Sequence, residues 1–251
     1  MINRNFNNFK FRHKRKQNQV LFFSKKINKD DEVLNLIDNF LTEKNSFVFE
    51  SVEKGIIKGR YTIFGKKPDK IWEFNNNKSF RIQNKKKIPI KGKPQNIIEN
   101  ILENFKFKTP KKLPSICSLI SGYFSYDTIR YLEKIPNKCE DDLGLPDVRI
   151  LRPKTLIIHD NHKKKIFFII NVFKDEKIND YKSKYNQIKN ELFMLNLLSL
   201  NKVDTSKKAN KNKLIVKSNT SKKRFLTIVN KAKRYIKIGD IFQVVLSQRF
   251  E

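Results

Sequence analysis

The stretch YIKIGDIFQVVLSQRFE (235–251) decides the reading of the chain. A basic helix runs into Gly239, which follows the last periodic apolar residue, Ile236, at the place where a left-handed C-cap is usual. From Ile241 the apolar residues fall on both faces of an extended segment: Phe242, Val244, Leu246 and Phe250 on one, Ile241 and Val245 on the other. That pattern predicts a strand covered on both sides, in the middle of a sheet. The polar interruptions Gln243, Ser247, Gln248 and Arg249 then need partners, in the protein or in a substrate. Neighbours for such a strand are not found in the remaining sequence. The chain therefore reads as the front portion of a larger protein.

Working back from this stretch, Thr220 or Ser221 is placed to cap the helix that carries Phe225, Ile228, Val229, Ala232 and Ile236. Residues 201–219 are lysine-rich and poor in apolar side chains, a linker between two parts. Before it, Ile178, Tyr181, Tyr185, Ile188, Leu192 and Leu195 step by three and four, which predicts a long amphipathic helix ending near Leu200. Segments 155–159 and 165–173 predict a β-hairpin over Asp160, Asn161 and His162. His159 and His162 have an HxxH spacing, but they flank a turn and lack a third ligand, so no metal site is assigned to them.

The front of the chain reads as a meander. Residues 20–23 predict a strand, and Asp30 or Asp31 caps a helix with Val33, Leu34, Leu36, Ile37, Phe40 and Leu41 on one face. In SFVFESVEKGIIKGRYTIFGKKPDKIWEF (46–74), strands are expected at 47–49, 56–64 and 71–74, with turns at 53–55 and 65–69. Gly59 to Lys67 has the look of a phosphate loop, but its spacing is one residue too long and Lys67 stands where Ser or Thr is needed. Another strand and loop follow at 79–89, and Pro94 opens a helix with Ile97, Ile98, Ile101, Leu102 and Phe105 buried. In SICSLISGYFSYDTIRYLEKIP (115–136), residues 116–120 predict a buried strand, Gly122 a close approach, and Ser125 or Asp127 the start of a helix. DDLGLPDVRILRP (141–153) is an acidic turn leading into a strand. Tyr123 and Tyr126 read as core aromatics and Asp142 and Asp147 as turn formers.

Composition limits the function classes. The chain has 251 residues, 38% of them hydrophobic, which is enough for a core. The longest apolar runs are far too short to span a bilayer. The net charge is +30, which raises the reading of a basic nucleic-acid-binding module. The lysines are spread from Lys10 to Lys237 without one stripe, so the charge is read as compositional, with no specific nucleic-acid partner. Two cysteines, Cys117 and Cys139, are too few for a disulfide framework and fit a reducing, cytoplasmic setting. The basic N-terminus lacks the serine and the apolar face of a transit peptide and reads as a frayed, flexible terminus over 1–19.

Four segments resemble anthranilate synthase component I, a chorismate-binding enzyme family, in the family's order: 47–62, 122–127, 142–147 and 239–250. The resemblance implies an α/β (α+β) two-domain sandwich. It would place a regulatory domain at 20–200, a linker at 201–219 and the start of the chorismate-binding domain at 220–251. It implies conversion of chorismate and ammonia to anthranilate and pyruvate, the first committed step of tryptophan synthesis, by a carbon–oxygen lyase. A glutamine amidotransferase subunit would deliver the ammonia, in a heterotetramer. Mg2+ is implied as cofactor, with its ligands and the catalytic histidine beyond residue 251, so that the fragment alone is expected to be inactive. Glu50 and Ser51 match the positions where the family binds the feedback inhibitor tryptophan, with Phe49 in place of the usual Leu. Gln243 is the candidate catalytic position; related isochorismate synthases carry there a lysine that activates water, whereas an amide does not titrate. Hydrogen bonding within the sheet is the other role open to Gln243. Aminodeoxychorismate synthase is the alternative within the superfamily, and a tryptophan-binding regulatory fragment without catalysis is a third.

Overall fold

The computed structural model describes residues 2–27, 33, 36, 40–50, 59–76, 78–105, 107–137, 141–200 and 216–250. Two strands form the spine: β3 (Tyr61–Asn75) and β7 (Val148–Asp160), antiparallel along nearly their whole length. Around them lie β1 (Gln19–Lys26), β2 (Phe47–Phe49), β4 (Lys78–Gln83), β5 (Lys86–Ile90), β6 (Ser121–Phe124) and β8 (Lys165–Val172). The order is β1-β8-β7-β3-β4-β5, with β2 against the first part of β3 and β6 against the first part of β7. Every one of these pairings is antiparallel.

β8 is buried on both faces, and its sequence is a nearly continuous apolar run. In β8, Ile166, Phe168, Ile170 and Val172 face one core and Phe167 and Ile169 the other. The first core is covered by α1 (Phe6–Lys14), by the helical residues Val33, Leu36 and Phe40, and by Ile188, Leu192 and Leu195 of α3 (Tyr181–Leu200). The second is covered by Leu113, Cys117 and neighbouring loop residues. A third, smaller core joins Trp72, Phe74, Val148 and Ile150 to Ile97, Ile98 and Ile101 of α2 (Pro94–Asn104).

Several expectations hold. The β7–β8 hairpin turns at 161–164, and its Asp160 carboxylate accepts from the N–H groups of His162 and Lys163. Pro94 opens α2, and Cys117 is fully buried, its thiol pushed up to about 11 by that burial. The helix α4 (Lys222–Ile238) begins at Ser221, whose side chain accepts from the Arg224 N–H, and ends at Gly239 with φ of 83°. Leu34, Ile37 and Cys139 lie outside the described residues.

Others are corrected. The basic terminus is ordered: Phe9 is fully buried, Gln19 donates to the Phe9 carbonyl, Tyr185 donates to the Arg4 carbonyl, and His13 hydrogen-bonds Tyr181. Apolar spacing within so short and basic a stretch is too sparse to show these anchors, which come from α3. The expected turn at 65–69 is instead part of one 15-residue strand. Pro68 stands opposite Pro153, neither has an N–H to donate, and the register shifts there, leaving Asp69 as an extra residue. Asp69 then accepts from the Arg152 guanidinium at 2.8 Å. The strand expected at 116–120 is a 3-10 turn, Ser115–Cys117, with β6 starting at Ser121. Residues 126–131 also form a 3-10 helix.

The chain divides into two compact units, Met1–Val203 and Asp204–Glu251. In the second, the expected buried strand after Gly239 is not formed among the described residues. Phe242 is 93% and Val245 84% exposed. A backbone needs partners to form a ladder; among the described residues, Phe250 bridges Ser218 and Arg249 exchanges bonds with Asn219.

Candidate functional site

Of the two candidate inhibitor residues, Glu50 is the one the structure describes, next to β2. That strand pairs Phe47 with Gly65 and Phe49 with Ile63, and Glu50 follows it, exposed. Ser51 lies outside the described residues. The entry to β2 is held at two points. Lys66, inward-facing on β3 and over the Phe40 ring at 4.6 Å, donates to Glu43 at 2.8 Å. Arg149 of β7 donates to the Asn45 side chain at 2.7 Å and to Glu73 at 3.0 Å. Lys87 of β5 reaches the other oxygen of Glu73 at 3.0 Å. Burial raises the Glu73 carboxyl, but the bonds from Lys87 and Arg149 outweigh it and hold the group below the usual range.

The two motifs of residues 122–127 and 142–147 meet. β6 pairs with the start of β7, placing Gly122 opposite Ile150 and Tyr123 opposite Arg149. Beyond the ladder, the Asp147 carbonyl accepts from the Ser125 N–H at 2.7 Å and from the Thr128 hydroxyl at 3.2 Å. The Asp147 carboxylate accepts from the Tyr131 hydroxyl at 2.6 Å and from the Asn76 N–H at 3.0 Å. Burial, then the bond to Asp147, push the Tyr131 hydroxyl far above its ordinary value, so it stays a donor. Asp147 is thus more than a turn former. Tyr123 and Tyr126 are not core either: they are 40% and 84% exposed, so their rings can meet a ligand or partner.

Gln243 lies in the second unit, exposed, past the C-cap of α4. Glu50 and Gln243 therefore belong to different units. His159 is buried in β7 opposite Thr62, whereas His162 is exposed in the β7–β8 turn. Among the described residues no group of three or more His, Cys, Asp or Glu could hold a metal ion.

A sequence profile of the chorismate binding enzyme family matches residues 48–251. The chain belongs to that family. Among curated proteins, this chorismate binding enzyme chain is 38% identical to anthranilate synthase component 1 of Acetivibrio thermocellus, over 86% of the chain and 45% of the relative. It is 29% identical to anthranilate synthase component 1 of Cereibacter sphaeroides, over 98% of the chain and 50% of the relative. Among solved structures, anthranilate synthase component I from Streptococcus pneumoniae superposes with a TM-score of 0.58 at 24% identity, over 90% of the chain and 48% of that protein. That likeness shows the fold, a mixed α/β architecture on an antiparallel sheet. The chain spans about half the length of the curated relatives it matches. None of its described helices is long and apolar enough to cross a membrane.

Proposed function

We propose that the protein is component I of an anthranilate synthase, converting chorismate and ammonia to anthranilate, pyruvate and water. The observation that supports this most is the family match over 48–251 together with relatives of that name. In this reading the enzyme uses Mg2+, takes ammonia from a glutamine amidotransferase subunit and works in the cytoplasm. Residues 20–200 form the regulatory domain and 220–251 begin the chorismate-binding domain. Glu50 and Ser51 bind tryptophan: a carboxylate suits the ammonium of an amino acid, and a hydroxyl can both donate and accept. Gln243 contributes an amide at the chorismate site, which suits chemistry whose nucleophile is ammonia and not an activated water.

The test is product identification with the full-length protein, chorismate, ammonium and Mg2+. Anthranilate supports the reading; 4-amino-4-deoxychorismate in its place would assign the protein to aminodeoxychorismate synthase. Ser51→Leu is expected to relieve inhibition by tryptophan while sparing turnover. Inhibition unchanged in Ser51→Leu would remove the regulatory assignment.

A further inference from the structure

A cleft of about 600 Å³ opens between α2 and the sheet, on the side of Trp72 and Arg152. Its volume lies within the roughly 300–1,000 Å³ typical of small-molecule sites. The inner lining is apolar, from Trp72, Ile97, Ile101 and Ile120. One wall is a row of amides, Asn96, Asn100 and Asn104, four residues apart on one face of α2. Asn104 donates to Asn100 at 2.5 Å, while the Asn96 amide has no partner among the described residues. The opposite wall is rigid. Arg152 stacks on Phe173 at 3.8 Å and binds Asp69 and Asp175, and Lys70 also pairs with Asp175. Those four charges cancel. Lys91 and Lys174 remain at the cleft with no ion-pair partner among the described residues.

A second groove of about 380 Å³ adjoins the first across Lys174, which lines both. Its other cations are Arg12, Lys16 and Lys108, and no acidic side chain lines it. Their walls are in contact. The Lys174 N–H donates to the Asn18 side chain at 2.8 Å, and Phe105 and Phe107 pack on Phe173. One space thus offers ring contacts and amide hydrogen bonds, and the next offers four positive charges. An aromatic ring with a polar edge, joined to several negative charges, matches both.

We propose that the first unit binds a nucleoside phosphate here, with its base in the cleft beside Phe105 and the asparagine row and its phosphates across Lys174 in the basic groove. Asparagine amides pair with the donor–acceptor edges of bases, and lysines bind phosphate as point charges. The proposal is independent of the chorismate reading.

The test uses ATP as probe and the emission of Trp72, the one tryptophan of the chain, as readout. Work at ~150 mM salt suppresses the general attraction of polyanions to a basic chain. A saturable change with ATP is expected, with adenosine alone and tripolyphosphate alone each binding at least about tenfold more weakly. Lys108→Glu with Lys174→Glu should weaken ATP by at least about tenfold, since two charge-assisted contacts are lost. Lys78→Glu with Lys163→Glu makes the same charge change away from the grooves and should leave ATP binding unaltered. Asn96→Asp, on an exposed helix face, should also weaken ATP. No saturable response, equal binding of tripolyphosphate and ATP, or equal loss in both double variants would overturn the proposal. The last two results would assign the effect to net charge.

Discussion

The close approach of β6 to β7 makes Gly122 a sharp test of how the two family motifs are held together. A Cβ at Gly122 would lie 2.1 Å from the Arg149 carbonyl oxygen and 2.8 Å from the Ile150 Cα, both well inside the 3.4 Å where ordinary contact begins. Both obstacles are backbone, so Gly122→Ala must move one strand off the other. Overpacking of this kind costs about 1–3 kcal/mol, and each ladder hydrogen bond lost adds about 1. We expect a total of about 2–4 kcal/mol, which for a unit of this size lowers Tm by roughly 5–15 °C. Gly65→Ala is the matched control. There the Cβ would lie 2.1 Å from the Phe47 ring tip, a side chain that can swing aside, so the cost should be below about 1.5 kcal/mol. Trp72 reports on both, because it pairs with Ile150, the residue opposite Gly122. Urea unfolding followed by Trp72 emission should shift its midpoint at constant slope. A Gly122→Ala protein melting within a degree or two of the parent, or less destabilised than Gly65→Ala, would refute the reasoning.

Two further outcomes follow from the charges and the caps. Burial raises the Asp175 carboxyl, but Lys70 and Arg152 outweigh it and bring it to about 2 from an ordinary 3.8. A depressed carboxyl stabilises the fold above its unfolded value and loses that contribution as pH falls. Stability should therefore drop between about pH 4 and pH 2, and Asp175→Asn should flatten that part of the profile in urea midpoints measured against pH. Gly239 holds φ of 83° at the end of α4. Gly239→Ala should cost about 1 kcal/mol and speed amide exchange in the last turn of that helix, with α1 to α3 unaffected.

What the sequence alone determined was local or carried by motifs. The caps of α4 at Ser221 and Gly239 and the Pro94 start of α2 depend on residues a few positions apart, so the letters suffice. The β7–β8 hairpin is likewise local: two apolar runs joined by a short polar turn. The family was legible because its motifs stand in order along the chain, and the match over 48–251 agrees. The α+β class was what that resemblance implied, and the likeness to a solved structure shows it.

The tertiary structure decided what depends on partners far away in sequence. Gly65-Lys66-Lys67-Pro68-Asp69 is compatible with a turn, and it becomes a bulged strand because β7, about ninety residues later, supplies the ladder and Arg152 takes Asp69. The basic terminus looks featureless until Tyr181 and Tyr185 anchor it. Asp147 becomes a hub only when β6 brings Ser125, Thr128 and Tyr131 to it. Residues 241–250 carry the apolar alternation of a strand, and among the described residues their bridge is that of Phe250 to Ser218. Side-chain pattern states which face wants burial, but hydrogen-bonded partners and packing surfaces decide where that burial happens.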